Sequence, residues 1–271
     1  MGNPEKKILG FIGTGNMGGA LARAARRRTV GEDILLANRT LEKAEALAAE
    51  LHCRTADNLA AAREADMLFL GVKPQGMAGL LSEISPVLKS RTDRFLLVSM
   101  AAGLTVGRIQ ELAGGKYPVI RIMPNTPAVI GQGMTLYCSS PEVRGPEEQK
   151  FLELMAGTGR LSRIPEDLMS AAGAVAGCGP AFADLFMEAL ADGGVACGLP
   201  RAQAVELAAQ MLAGAGSLLL ETGKHPGELK DTVCSPGGST IQGVRKLEAA
   251  GFRSAVMEAV IAACEKSDRL G

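Results

Sequence analysis

Aromatic side chains are scarce in this chain of 271 residues, at 3% of positions with no Trp and two Tyr. A core poor in large rings has to close mainly with aliphatic side chains and close backbone contact, which 34 Gly favour. Surplus charge is missing too: Lys+Arg 29 balances Asp+Glu 29, leaving no cationic excess for a nucleic acid backbone or an anionic membrane. With two His and no CxxC pair, a structural zinc site and a thioredoxin-type motif are excluded, and no metal site is expected. The six scattered cysteines, Cys53, Cys138, Cys178, Cys197, Cys234 and Cys264, read as reduced thiols of a cytoplasmic protein. Nothing at the amino end has the pattern of a signal peptide, since residues 1–7 are polar, and Lys6 breaks the myristoylation pattern. The uncharged part of residues 207–220 is shorter than the ~18 residues of a membrane span. What is present, 47% hydrophobic and 21% charged residues, is the composition of a folded globular chain.

The chain has two grammars. Residues 8–163 alternate short aliphatic runs with helical stretches, the pattern of a parallel sheet with crossover helices. Strands are predicted at 8–13, 34–37, 67–72, 95–99, 119–123 and 134–138. Helices include 17–28 and 40–51, the latter with Leu41, Ala44, Leu47, Ala48 and Leu51 at helical spacing. From Pro165 onward the signals are helical only, with segments 182–195, 201–220 and 253–270. The expected architecture is α/β: a Rossmann-type doubly wound sheet over 1–164, then an all-helical domain over 165–271. Residues 201–220 are apolar on nearly every face, through Val205, Leu207, Met211, Leu212 and Leu218 among others, more than a small domain buries alone. A second subunit is expected to cover them.

The first strand runs into Gly13-Thr14-Gly15-Asn16-Met17-Gly18, a GxGxxG spacing that opens a helix. Gly13 suits the tight turn, Gly15 the approach of a diphosphate, and Gly18 close packing of helix on strand. Amides at the helix start, with the positive end of its dipole, favour an anion. About twenty residues beyond the last glycine, where NAD-binding chains carry Asp or Glu, stands Asn38-Arg39-Thr40. A carboxylate would repel a 2′-phosphate, whereas Asn and Arg donate to it, so NADPH is the expected cofactor and NADH the alternative. Further strings at strand ends are Val72-Lys73-Pro74-Gln75, then Ser99-Met100-Ala101-Ala102-Gly103, then Met123-Pro124-Asn125-Thr126-Pro127. There, small residues such as Ala101 would admit a flat nicotinamide ring, and Lys73 and Asn125 would reach ribose or carboxamide oxygens.

A second glycine-rich element, Cys234-Ser235-Pro236-Gly237-Gly238-Ser239-Thr240, precedes an amphipathic stretch at 241–247. Its amides and hydroxyls form either a small anion site suited to a carboxylate or a plain capping turn in which Ser239 or Thr240 caps the helix.

In order and spacing, GTGNMG, VKPQ, SMAAG, RIMPNTPAVIGQG, GPAF…EALADGGVACGLPR and TVCSPGGSTIQGVRKLE resemble the pyrroline-5-carboxylate reductases over essentially the whole chain. The resemblance implies NAD(P)H-dependent reduction of a cyclic imino acid, the last step of proline synthesis, by a homodimer or higher homo-oligomer whose helical domains interleave. It also implies that Ser235, Gly237, Gly238, Ser239 and Thr240 hold the substrate carboxylate. Gly13, Thr14, Gly15, Asn16, Met17, Asn38, Arg39, Asn58, Val72, Lys73, Pro74 and Ala101 then match positions at the cofactor. From its place in the loop, Thr240 is the candidate hydroxyl near the imine nitrogen. The chain departs from the family at Ala176-Gly177-Cys178-Gly179-Pro180-Ala181-Phe182, where Ser-Gly-Ser-Gly-Pro-Ala-Tyr is common, and at Gly173, where Thr is. Hydroxyacid dehydrogenases share the layout but need a Lys on the long helix, and this chain has none between Lys150 and Lys224.

Overall fold

A computed structural model describes residues 7–269. The readings made on Met1 to Lys6, and on Leu270 as a helix end, lie outside the described residues. The chain divides into two compact units, one formed by the chain up to Cys178 and again from Ala263, the other by Gly179–Ala262.

In the first unit, eight strands form one sheet in the order β3-β2-β1-β4-β5-β6-β7-β8. They are β1 (Leu9–Ile12), β2 (Ile34–Ala37), β3 (Arg54–Thr55), β4 (Met67–Leu70), β5 (Leu96–Ser99), β6 (Val119–Met123), β7 (Gly133–Ser139) and β8 (Gly159–Arg163). The order 3-2-1-4-5-6 is that of doubly wound dinucleotide-binding sheets. β1 is flanked by β2 and β4 in parallel register, with Phe11 opposite Leu36 on one side and Phe69 on the other. β1, β2, β4 and β5 are buried at every position, because helices cover both faces of a parallel sheet. Two features depart from the sequence reading. β7 runs antiparallel to β6, so the sheet is mixed. β3 and β8 also join it; β3 has two exposed residues and β8 carries two Arg and a Ser, too polar to give a strand signal.

Helices α1 (Asn16–Arg26), α2 (Leu41–Leu51), α3 (Asn58–Glu64), α4 (Pro74–Ser90), α5 (Val106–Ala113), α6 (Gly145–Met155) and α7 (Met169–Ala176) belong to this unit. α1 buries Gly18, Gly19, Ala20, Leu21, Ala22, Ala24 and Ala25, a small-residue face that lets its axis approach the sheet closely. α7 belongs here too, since Met169 is part of the core and Ala172 and Ala176 pack against it. Helical grammar therefore begins one helix before the second unit does.

Helices α8 (Gly179–Ala196), α9 (Arg201–Thr222), α10 (Pro226–Thr232), α11 (Ser239–Ala249) and α12 (Phe252–Asp268) follow. α9 buries only Ala204 and Ala208, while Leu207, Met211, Leu218 and Leu220 stand about half exposed. By length and composition alone, α9 and the helical run ending at Ala196 pass for membrane spans. The shorter count over 207–220 missed this because helix α9 continues past it on both sides.

Candidate active site

At the carboxyl end of β1 the chain turns through Gly13, whose φ of 96° is open to glycine and strained for other residues. A Cβ there would lie 2.6 Å from the Gly71 backbone, so the ends of β1 and β4 meet at van der Waals contact. Gly18 is equally constrained, as its Cβ would fall 2.0 Å from the Gly13 carbonyl oxygen. Gly15 is different: nothing lies within 4 Å of a Cβ built on it. It caps α1 without any side-chain bond, and the first turn of α1 has no acidic residue, so the terminal amides face open space. Thr14 is 8% exposed, and its hydroxyl is buried without a hydrogen-bond partner. Asn16 is exposed and Met17 half-buried beside this opening. A loop with unused amides, an orphaned hydroxyl and room over Gly15 fits a diphosphate.

The end of β2 is tied to this loop. Asn38 Oδ1 accepts from the Thr14 amide at 3.1 Å, and its Nδ2 donates to the Thr40 carbonyl at 2.9 Å. Arg39 is exposed, with no partner among the described residues. Asn58 opens α3 with its amide nitrogen on the Glu83 carboxylate, at 3.0 Å to Oε2, which leaves its own oxygen free. Past β4, Lys73 is the N-cap of α4 and Pro74 its first residue. Val72 is half-buried and Lys73 exposed. Ala101, 2% exposed, follows β5. Asn125 follows β6 but is heavily engaged: its Nδ2 donates to the Ala176 carbonyl and its Oδ1 accepts from the Met134 amide, both at 2.9 Å.

Gly173, the departure on α7, has a local reason. A Cβ there would stand 2.4 Å from Met123 Sδ, so the thioether occupies the space that a side chain at 173 would need. Neither this pairing nor Glu83 behind Asn58 is legible in the residue string, because both join residues far apart along the chain.

In the second unit, the Gly238 amide donates to the Ser235 carbonyl at 3.0 Å, closing a turn with Pro236 and Gly237 at its centre. Gly237 has φ of 71°, as the third residue of a type II turn requires. α11 starts at Ser239 with Gly238 as its cap and no side-chain cap bond, so neither Ser239 nor Thr240 acts as the cap. The hydroxyls of Ser235, Ser239 and Thr240 have no partner among the described residues, and all three residues are exposed. The first turn of α11 also lacks an acidic residue. Just upstream, Asp231 hydrogen-bonds Lys230 and holds its ammonium above the usual range. Free amides and hydroxyls at a helix start suit a carboxylate.

The histidines stand elsewhere. His52 ends α2 in the left-handed region, and His225 caps α10 by accepting from the Gly227 amide.

Fold and loop together define a dinucleotide-binding protein of the doubly wound class with a helical second part. Two family models match the chain: one described as NADP oxidoreductase, coenzyme F420-dependent, over residues 8–103, and one described as pyrroline-5-carboxylate reductase dimerisation, over 166–270. The pyrroline-5-carboxylate reductase of Escherichia coli strain K12 is 40% identical over 269 residues, 98% of each chain. That of Glycine max is 39% identical, covering 98% of this chain and 97% of its own. The structure of Plasmodium falciparum pyrroline carboxylate reductase with NADP bound superposes with a TM-score of 0.86 at 33% identity, over 99% of this chain and all of that one. The Coxiella burnetii enzyme gives 0.91 at 29% identity, over 98% and 99%. The chain belongs to the pyrroline-5-carboxylate reductase family.

Proposed function

We propose that this chain reduces 1-pyrroline-5-carboxylate to proline with NADPH, in the cytosol and as a homodimer or larger homo-oligomer. The observation that carries the reading is the pair of glycine-bearing helix starts, at Gly15 and at Gly238, each with free amides and hydroxyls, in a chain 40% identical to a reductase over 98% of both. NADPH supplies the hydride when bound. Amides at the start of α1 and the Thr14 hydroxyl hold its diphosphate, Arg39 its 2′-phosphate, and Ala101 leaves room for the ring. Asn38 keeps the ribose end in register with the phosphate loop.

The loop from Ser235 to Thr240 receives the substrate carboxylate and so fixes which imine face is presented. Hydride addition to the C=N carbon of a protonated imine gives the amine with no further proton required. The weakly basic nitrogen arrives protonated, so the work falls to orientation, worth ~7–11 kcal/mol. Thr240 stands ready to hold the N–H. A second copy of the chain covers the bare apolar flank of α9, and its matched dimerisation segment supports that arrangement.

The test is oxidation of NADPH by the purified protein with the five-membered cyclic imino acid, proline being identified as product. Absence of turnover in folded protein overturns the reading. Parallel rates with the six-membered imine fix ring-size preference, for which one methylene supplies only ~1–3 kcal/mol.

A further inference from the structure

We infer that Glu166 is a positioning residue for the cofactor loop at residues 100–105, acting through its ion pair with the buried Arg121. The inference rests on the reading that Ala101, in this loop, lies at the nicotinamide.

Arg121 sits in the middle of β6 and is 7% exposed. A guanidinium so placed requires a partner, and Glu166 Oε1 accepts from its Nη1 at 3.1 Å. A counter-ion alone would account for that. The same oxygen, however, accepts from the backbone amide of Val106, the first residue of α5, at 2.7 Å. Arg121 is also the register partner of Ser99, the last residue of β5. One ion pair thus grips both ends of the loop, at the strand it leaves and at the helix it enters. Between those ends Ala101 and Leu104 pack on the core, but the backbone bonds are long: the Met100 amide donates to the Leu70 carbonyl at 3.3 Å and the Ala101 amide to the Ser99 hydroxyl at 3.4 Å. Gly103 turns with φ of 79° and contributes no side chain. The Val106 contact is therefore the shortest tie the loop has, and it comes from the segment that joins β8 to α7. A loop held at its ends from outside keeps Ala101 at one height over the sheet. Released, it shifts, and placement errors of about an ångström cost as much as a hundredfold in rate.

The test compares Glu166→Ala, Glu166→Gln and the apolar double variant Arg121→Met with Glu166→Leu, by thermal midpoint, separate KM values and amide exchange over residues 100–105. Expected for Glu166→Ala is a rise of roughly tenfold in KM for NADPH, with KM for the imine unchanged and faster exchange in the loop. Glu166→Gln, which keeps an oxygen for the Val106 amide, recovers most of the NADPH value. The double variant regains thermal stability but keeps the raised KM for NADPH and the fast exchange. Restoration of both KM and exchange in the double variant shows a purely structural pair and overturns the inference, as does unchanged loop exchange in Glu166→Ala. Ala101→Val separates the underlying reading: unchanged KM for NADPH there means Ala101 is not at the ring, and loop exchange in the Glu166 variants alone then decides whether Glu166 holds the loop.

Discussion

Asn38 Oδ1 accepts the Thr14 backbone amide at 3.1 Å, joining the end of the second strand to the phosphate loop after the first. Asn38, which stands where an acidic residue is missing, is therefore a structural strut, and its neighbour Arg39 is the proposed contact for a 2′-phosphate. That guanidinium is exposed and without a partner among the described residues.

Replacing Arg39 by Asp removes a charge-assisted contact of ~1.5–3 kcal/mol and adds repulsion. KM for NADPH should rise by roughly 10–100-fold while that for NADH moves little. Steady-state kinetics with both cofactors checks this; equal changes would count against Arg39. Asn38→Ala, by contrast, should raise both values together, because it loosens the loop that both cofactors share.

The glycines of the loop should separate stability from binding. Gly18→Ala forces a Cβ to 2.0 Å from the Gly13 oxygen and should cost ~1–3 kcal/mol, a drop of several degrees in melting. Gly15→Ala meets nothing within 4 Å, so its melting temperature should stay close to that of the parent. Its KM for NADPH should nonetheless rise at least ~tenfold, because the methyl takes the space over the α1 amides. Unchanged NADPH binding would show that the diphosphate lies elsewhere.

Thr240 has a free hydroxyl one residue into α11. Thr240→Ala should reduce turnover with the imine by roughly tenfold or more and leave NADPH affinity intact, with Thr240→Ser recovering most of the rate. Rapid-mixing measurements of hydride transfer read this directly, and full activity in the alanine variant would remove Thr240 from the mechanism.

Cys138 should be the least reactive thiol in the native protein. Burial, reinforced by the Glu166 carboxylate and only partly offset by Arg121 and Arg163, raises its pKa to about 11. At pH 8 about one molecule in a thousand carries the thiolate, so native alkylation should miss Cys138 until the chain unfolds. The sign of the linkage follows. Because the folded value lies above the unfolded ~8.5, the stabilisation is fully present below that value and is lost as pH rises towards the folded one. Melting temperature should fall across that alkaline window more steeply in the parent than in Cys138→Ala.

Much of the cofactor half was legible in the residues because its chemistry is local. Gly13 is required by its own φ and Gly18 by the Gly13 carbonyl just before it, and the apolar run Met67-Leu68-Phe69-Leu70 announces a strand covered on both faces. Pro236 and Gly237 likewise specify their turn unaided. The roles of Ser239 and Thr240 were not decided by composition: a hydroxyl at a helix start serves equally as a cap or as a ligand group, and only the backbone geometry put the cap at Gly238. β3 and β8 escaped notice because edge strands obtain their order from a neighbour's hydrogen bonds, not from apolar content of their own.

The sequence by itself determined the family, the phosphate loop and the lack of an acidic partner for the ribose, since each is written in contiguous residues whose backbone needs are local. Tertiary structure alone decided that β7 reverses direction, that Met123 fills the space at Gly173, and that one carboxylate at Glu166 serves both Arg121 and the start of α5. Those contacts join residues 45 to 60 positions apart in the case of Glu166, and pairing at such separations is set by how the sheet packs, which no local pattern of residues encodes.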